Sequence, residues 1–126
     1  MFVGVEHVAI ASPNPAVLAR WYVDHLAFKT IAIDGRTHFV KAPNGAVLEI
    51  IAARGEPNRQ QMDDPGLRHV AIAVTDFDSA LASLRGRGVN FLGEPYASPQ
   101  GNRVAFFTDC EGNLLHLIQR VHPLPE

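Results

Sequence analysis

The sequence predicts an α+β fold made of two tandem βαβββ modules, and three observations carry that expectation. The segment Gly4-Val5-Glu6-His7-Val8-Ala9-Ile10-Ala11 is echoed by Gly66-Leu67-Arg68-His69-Val70-Ala71-Ile72-Ala73, with His-Val-Ala-Ile-Ala identical at an offset of 62 (69 less 7). Further on, Asn44-Gly45-Ala46-Val47-Leu48-Glu49-Ile50 lines up with Glu111-Gly112-Asn113-Leu114-Leu115-His116-Leu117 at an offset of 67 (116 less 49). Between these anchors each copy shows the same succession of signals: a strand, a capped helix and three short strands. Two ordered matches of this kind mark a duplicated supersecondary unit.

In the first copy, Val3 to Ala11 is rich in Val, Ile and Ala and reads as a strand. Ser12-Pro13-Asn14-Pro15 then turns the chain, with Asn14 as helix cap and Pro15 at the first helical position. Leu18, Trp21, Tyr22, His25 and Leu26 recur at helical spacing as one apolar stripe. Strands are expected over Lys29 to Ile33, Thr37 to Lys41 and Ala46 to Ala52, with Asp34-Gly35 and Asn44-Gly45 as hairpin signals. In the second copy Leu67 to Val74 is the strand, Asp76 the cap, and Phe77, Leu81 and Leu84 the stripe, ended by Gly86 and Gly88. Its three further strands are expected over Asn90 to Leu92, Arg103 to Thr108 and Leu114 to Gln119. The polar stretch Glu56 to Pro65 reads as a linker. The organisation is then a single domain, 1–126, with module one about 3–54, a linker about 55–65 and module two about 66–120.

Composition narrows the function classes. With 126 residues and 47% hydrophobic content the chain can bury one core. A formal net charge of −2, with 19% charged residues, gives no basic field for nucleic acid. Arg54, Arg59 and Arg68 are interleaved with Glu56, Asp63 and Asp64, so no stripe of one sign exists. No apolar run approaches the ~20 residues needed to cross a bilayer. Met1 to Val8 lacks the basic start and apolar core of a signal peptide. Cys110 is the sole cysteine, so no internal disulfide forms. The expectation is a cytoplasmic protein acting on a small molecule, with neither nucleic acid nor membrane as partner.

Alternation along a strand puts every second side chain on one face. It groups Val5, His7 and Ala9, then Val47, Glu49 and Ile51, then Leu67, His69 and Ala71, and lastly Leu114, His116 and Ile118. Each group places one ionisable residue between small or aliphatic ones. A charged Glu49 in an apolar setting is costly unless paired or bound to a metal. If the two modules enclose one cleft, His7, Glu49, His69 and His116 all point into it. Imidazole and carboxylate together suit zinc, nickel, iron(II), cobalt or manganese. A lone strand histidine is more often a hydrogen-bonded core residue, and a lone strand glutamate more often faces solvent. Four such groups at matched repeat positions outweigh those readings. His25 and His122 read as structural or exposed and His38 as surface; Cys110 lacks a neighbouring base.

These residues resemble the vicinal oxygen chelate superfamily, the group of glyoxalase I, methylmalonyl-CoA epimerase, extradiol dioxygenases and fosfomycin- and bleomycin-resistance proteins. The carriers are His7-Val8-Ala9-Ile10, Trp21-Tyr22, His25-Leu26-Ala27-Phe28, Leu48-Glu49-Ile50, Gly66-Leu67-Arg68-His69-Val70-Ala71 and Asp109-Cys110-Glu111-Gly112-Asn113-Leu114-Leu115-His116-Leu117. The resemblance implies a curved mixed sheet around a divalent metal, with ligand positions at His7, Glu49, His69 and His116. It also implies a homodimer, with sites built in some relatives from two chains. His116 departs from the pattern, because the family most often has a glutamate there that is both ligand and proton-transfer base. Ala27 stands where a glycine is common.

The leading expectation is a metal-dependent lyase or isomerase of the glyoxalase type acting on a small vicinal-oxygen substrate. Glu49 then moves the proton, or His116 does if it stays unligated. Phe39, Phe106, Tyr96 and Arg103 are candidates for the cleft wall, although each alone reads as packing; Arg103 would meet a substrate carboxylate or phosphate. The alternatives are an iron(II) extradiol-type dioxygenase, using His7, His69 and Glu49 as its triad, and a non-catalytic drug- or metabolite-binding protein.

Overall fold

The structure is a computed structural model and describes residues 1–57 and 61–125. Residues 58–60 of the linker, Arg59 among them, lie outside the described residues. The chain divides into two compact units, Met1–Asn58 and Arg59–Glu126.

In the first unit β1 (Val8–Ser12) leads to α1 (Pro15–Leu26), then β2 (Lys29–Asp34), β3 (Thr37–Lys41) and β4 (Val47–Ala52). The sheet order is β1-β4-β3-β2, with β1 parallel to β4 and the other pairs antiparallel. In the second unit β5 (Val70–Ala73), α2 (Phe77–Gly86), β6 (Tyr96–Ala97), β7 (Arg103–Thr108) and β8 (Leu114–Gln119) give the order β5-β8-β7-β6, with β5 parallel to β8. The two units share one topology, as the sequence repeat requires.

Helix α1 starts where Asn14 Oδ1 accepts from the Val17 N–H at 3.3 Å, with Pro15 at a position whose missing N–H costs nothing. Leu18, Ala19 and Tyr22 are buried on the face of the sheet that holds Val40, Leu48 and Ile50. In the second unit Asp76 accepts from the Ser79 N–H and hydroxyl, which lowers its pKa. Gln119 Oε1 accepts from the Phe77 N–H at 2.8 Å and ties the end of β8 to the start of α2. Phe77, Leu81, Leu84, Phe107, Leu115 and Leu117 are buried there. Each fully buried side chain of this size contributes about 1.5–3 kcal/mol, so each unit has a core on the helix side of its sheet. Among the described residues no helix is long and apolar enough to cross a membrane.

Both last strands enter through the same turn. Ala42 N–H bonds Ala46 O and Gly45 N–H bonds Ala42 O; Asp109 N–H bonds Asn113 O and Gly112 N–H bonds Asp109 O. Gly45 (φ 97°) and Gly112 (φ 87°) take a backbone region closed to other residues. In the second copy the buried Asp109 carboxylate also accepts from the Glu111 and Asn113 N–H groups, fixing the start of β8.

Three expected boundaries are corrected. Strand β1 begins at Val8, not Val3, because its partner begins at Val47 and the pairing starts at Val8 opposite Leu48. Likewise β5 begins at Val70, opposite Leu115, instead of Leu67. The strand expected over Asn90 to Leu92 is reduced to one bridge, Phe91 with Phe107, and pairing resumes at Tyr96–Ala97. Pro95 between them has no N–H to give the ladder.

Helix α1 ends on Ala27 in the left-handed conformation (φ 59°, ψ 25°), the one non-glycine with positive φ among the described residues. A Cβ there costs about 1 kcal/mol, partly offset by the lower chain entropy of alanine when unfolded. Ala27→Gly is therefore expected to stabilise the protein by about 0.5 kcal/mol, raising Tm by roughly 2 °C. A thermal melt that falls in this variant would refute the assignment of strain.

Candidate metal centre

The sheets expose on their helix-free faces the residues singled out by alternation. In the first unit β4 sets Glu49 between Ala9 of β1 and Phe39 of β3. In the second β8 sets His116 between Ala71 of β5 and Phe106 of β7. Two residues before each alanine stands the histidine, His7 or His69, just ahead of the strand. The same four-part arrangement is built twice.

In the first unit His7 Nε2 lies 3.6 Å from Glu49 Oε2, an ion-pair distance too long for a hydrogen bond. The His7 Nδ1 donates to Glu6 Oε1 at 2.9 Å. That bond selects the neutral tautomer whose lone pair is on Nε2, the nitrogen beside Glu49. Phe39 meets the His7 ring edge-on, with centroids 6.4 Å apart. Both His7 and Glu49 are partly buried, their side chains 32% and 22% exposed.

In the second unit the rings of His69 and His116 are 4.4 Å apart. Phe106 touches both, at 4.8 Å from His116 and 5.6 Å edge-on from His69. His69 is exposed and His116 is buried. Burial pushes the His116 pKa down from 6.5 to about 4, reinforced by the neighbouring His69 and Arg120. Its Nδ1 is buried with no hydrogen-bond partner, and it is the one such side-chain nitrogen or oxygen among the described residues.

The sequence-derived set therefore appears as two pairs, His7 with Glu49 and His69 with His116. Among the described residues no group of three or more His, Cys, Asp or Glu side chains gathers to hold a metal. The donors nevertheless fit a divalent ion: a neutral buried imidazole with an unpartnered nitrogen, a second imidazole beside it, and a tautomer-fixed imidazole next to a carboxylate. An orphaned buried nitrogen costs about 1–3 kcal/mol, which a ligand bond would offset.

The cleft-wall candidates separate. Phe39 and Phe106 lie on the faces of Glu49 and His116, and Tyr96, paired with Val104, is on the His116 face at the exposed edge. Arg103 is not a wall residue: it donates to Asp78 Oδ1 at 2.9 Å and its guanidinium stacks 4.4 Å over Phe77, on the α2 side. His25 bonds Trp21 O and stacks on the Trp21 ring, and His38 pairs with Ile50 on the α1 side. The Cys110 thiol is pushed up by burial and by Asp109 and Glu111, against a nucleophilic role. Sequence reasoning missed Glu6, for which adjacency to His7 was the available signal, and the lysines Lys29 and Lys41 on the Glu49 face.

Residues 4–117 match the Glyoxalase/Bleomycin resistance protein/Dioxygenase superfamily, and the chain belongs to it. Its two βαβββ units have the glyoxalase-like fold. It is 31% identical to the uncharacterized protein YaeR of Escherichia coli (strain K12), over 92% of this chain and 95% of that one. Among solved structures it is similar to Oxidase ChaP-H2, at 26% identity and a TM-score of 0.77 over 97% of each chain. A glyoxalase family protein from Enterococcus faecalis is likewise 26% identical, with a TM-score of 0.78 over 93% of this chain and 98% of that one.

Proposed function

We propose that this chain is a metal-dependent lyase or isomerase of the glyoxalase type that binds a divalent ion, with His7, Glu49, His69 and His116 as its metal-ligand residues. The supporting observation is the unpartnered Nδ1 of His116 in a pair that repeats, position for position, the His7–Glu49 pair. When bound, zinc, nickel, iron(II), cobalt or manganese supplies Lewis acidity toward two adjacent substrate oxygens. Glu49, the one carboxylate of the set, takes a proton from one substrate carbon and returns it to the next. His116, neutral near pH 7, acts as a ligand and not as the base. Phe39 and Phe106 give the substrate apolar edges and exclude water. The proposal includes a homodimer in the cytoplasm; the exposed Phe2, Val3 and Val5 support self-association.

Protein purified without a histidine tag is expected to carry stoichiometric metal, to lose it in His69→Ala, and to sediment at twice the 13.7 kDa chain mass. Turnover of a hemithioacetal or an acyl-CoA, abolished in Glu49→Ala with metal retained, supports the reaction. Full activity in that variant sinks it. Absence of metal, with ligand affinity unchanged in His7→Ala, would instead indicate a binding protein.

The likeness to a protein named as an oxidase favours a second reading, iron(II)-dependent oxygen chemistry. Oxygen uptake with catechols after anaerobic iron loading selects it over the first.

A further inference from the structure

The chain has two lysines in 126 residues, Lys29 and Lys41. A plain two-residue hairpin closing at Asp34 and Thr37 would set Thr30 opposite Lys41. The β-bulge between Thr30 and Ala32 shifts the register and sets Lys29 directly opposite Lys41. Their Cα atoms are then about 5 Å apart, a placement in which like charges repel. Lys41 also pairs with Val47, so both lysines stand on the face of Phe39 and Glu49. Both are exposed, and the Lys41 stem runs along the β3–β4 turn, its Cε 4.0 Å from where a Cβ on Gly45 would stand.

Among the described residues neither ammonium pairs with a carboxylate. The arginine–carboxylate pairs among the described residues are Arg20 with Asp24 and Arg103 with Asp78, and Glu6 and Glu49 lie beside the His7 ring. The second unit has no counterpart: Thr108 occupies the position of Lys41, and Arg103 is spent on α2. The bulge thus brings two positive charges together on the candidate site's face of one module only.

We propose that Lys29 and Lys41 clamp a compact dianionic oxyanion, a phosphoryl group in class. It would be the terminal group of a substrate whose reacting carbon lies at Glu49; only that attachment rests on the function proposed above. Val47, opposite Lys41, is two residues from Glu49, about 7 Å along the strand. The substrate's anion is therefore a few bonds from its reacting carbon.

The test uses the full chain with lysine-selective ¹³Cε labelling, held in chelator so that no metal takes the anion. Two lysine signals are followed as inorganic phosphate is added at constant ionic strength. Both are expected to move with one Kd, and phosphate to bind about tenfold more tightly than acetate, as two charge-assisted contacts allow. Lys41→Gln should weaken phosphate binding about tenfold, and Lys41→Arg should recover most of it. Glu49→Gln removes a negative charge nearby and should not weaken phosphate binding, whereas it should abolish the proposed proton transfer, which separates this clamp from the metal and proton-transfer reading. Signals that stay still or titrate independently, equal binding of acetate, or full affinity in Lys41→Gln would overturn it.

Discussion

Replacing His116 with leucine is expected to raise the stability of the metal-free protein while abolishing metal uptake. The imidazole sits in β8 between Ala71 and Phe106, buried, with Nδ1 lacking a partner. A buried polar atom left unpaired costs about 1–3 kcal/mol, and an apolar side chain of similar size removes that cost. A net gain of about 1 kcal/mol is expected, read as a higher urea midpoint at unchanged slope. Metal affinity should fall by at least about 100-fold, beyond the 10–100-fold lost when an outer partner of a ligand is removed. A residue kept for packing would give the opposite pattern: lower stability with metal retained. The two readouts have opposite signs, so general unfolding cannot imitate the expected result. Metal retained at full stoichiometry in His116→Leu would remove this residue from the ligand set.

Much of the fold was legible because duplication prints it twice. The Asn14 and Asp76 caps and the turn before each last strand are local signals, and each fell where expected; the His-Val-Ala-Ile-Ala anchor yields a strand in both copies, with its histidine just ahead of it. The misses came from pairing, which a single strand does not encode. Val3 to Glu6 has strand composition but no rung on β4, since the Ala42–Ala46 turn ends that strand's reach. Asn90 to Leu92 has strand composition but reaches β7 at one bridge. For the candidate site, alternation grouped Glu49 with Val47 and Ile51, and His116 with Leu114 and Ile118; the strand register sets these groups on the faces turned from the helices, beside Phe39 and Phe106. Arg103, a cleft-wall candidate from its residue type alone, is held instead by Asp78 and Phe77. The lysine pair was hidden for a different reason. Its register depends on a bulge at Thr30 to Ala32, and no residue there carries a bulge signature.

Acid is expected to weaken the metal-free protein through His116. In the unfolded chain this imidazole titrates at 6.5, whereas in the folded one burial, His69 and Arg120 hold it down at about 4. Between those values the unfolded state binds a proton that the folded state refuses. Stability therefore falls as pH drops through that window and is unaffected by this group above it. The full difference corresponds to roughly 3 kcal/mol at about 1.4 kcal/mol per pH unit, and contact of the ring with solvent reduces the expected loss to about 2 kcal/mol by pH 4. Asp76, with a pKa below its usual 3.8, withdraws its contribution only at still lower pH. Urea unfolding in chelator at pH 7, 5.5 and 4.5 should show the midpoint of the wild type falling more steeply than that of His116→Leu. Parallel curves would mean that His116 takes up its proton inside the folded protein at an ordinary pH. Its ring would then be charged, not a ready ligand, in mildly acidic solution, and the lone pair on which the proposed metal capture depends would be withdrawn just where a neutral buried imidazole keeps it.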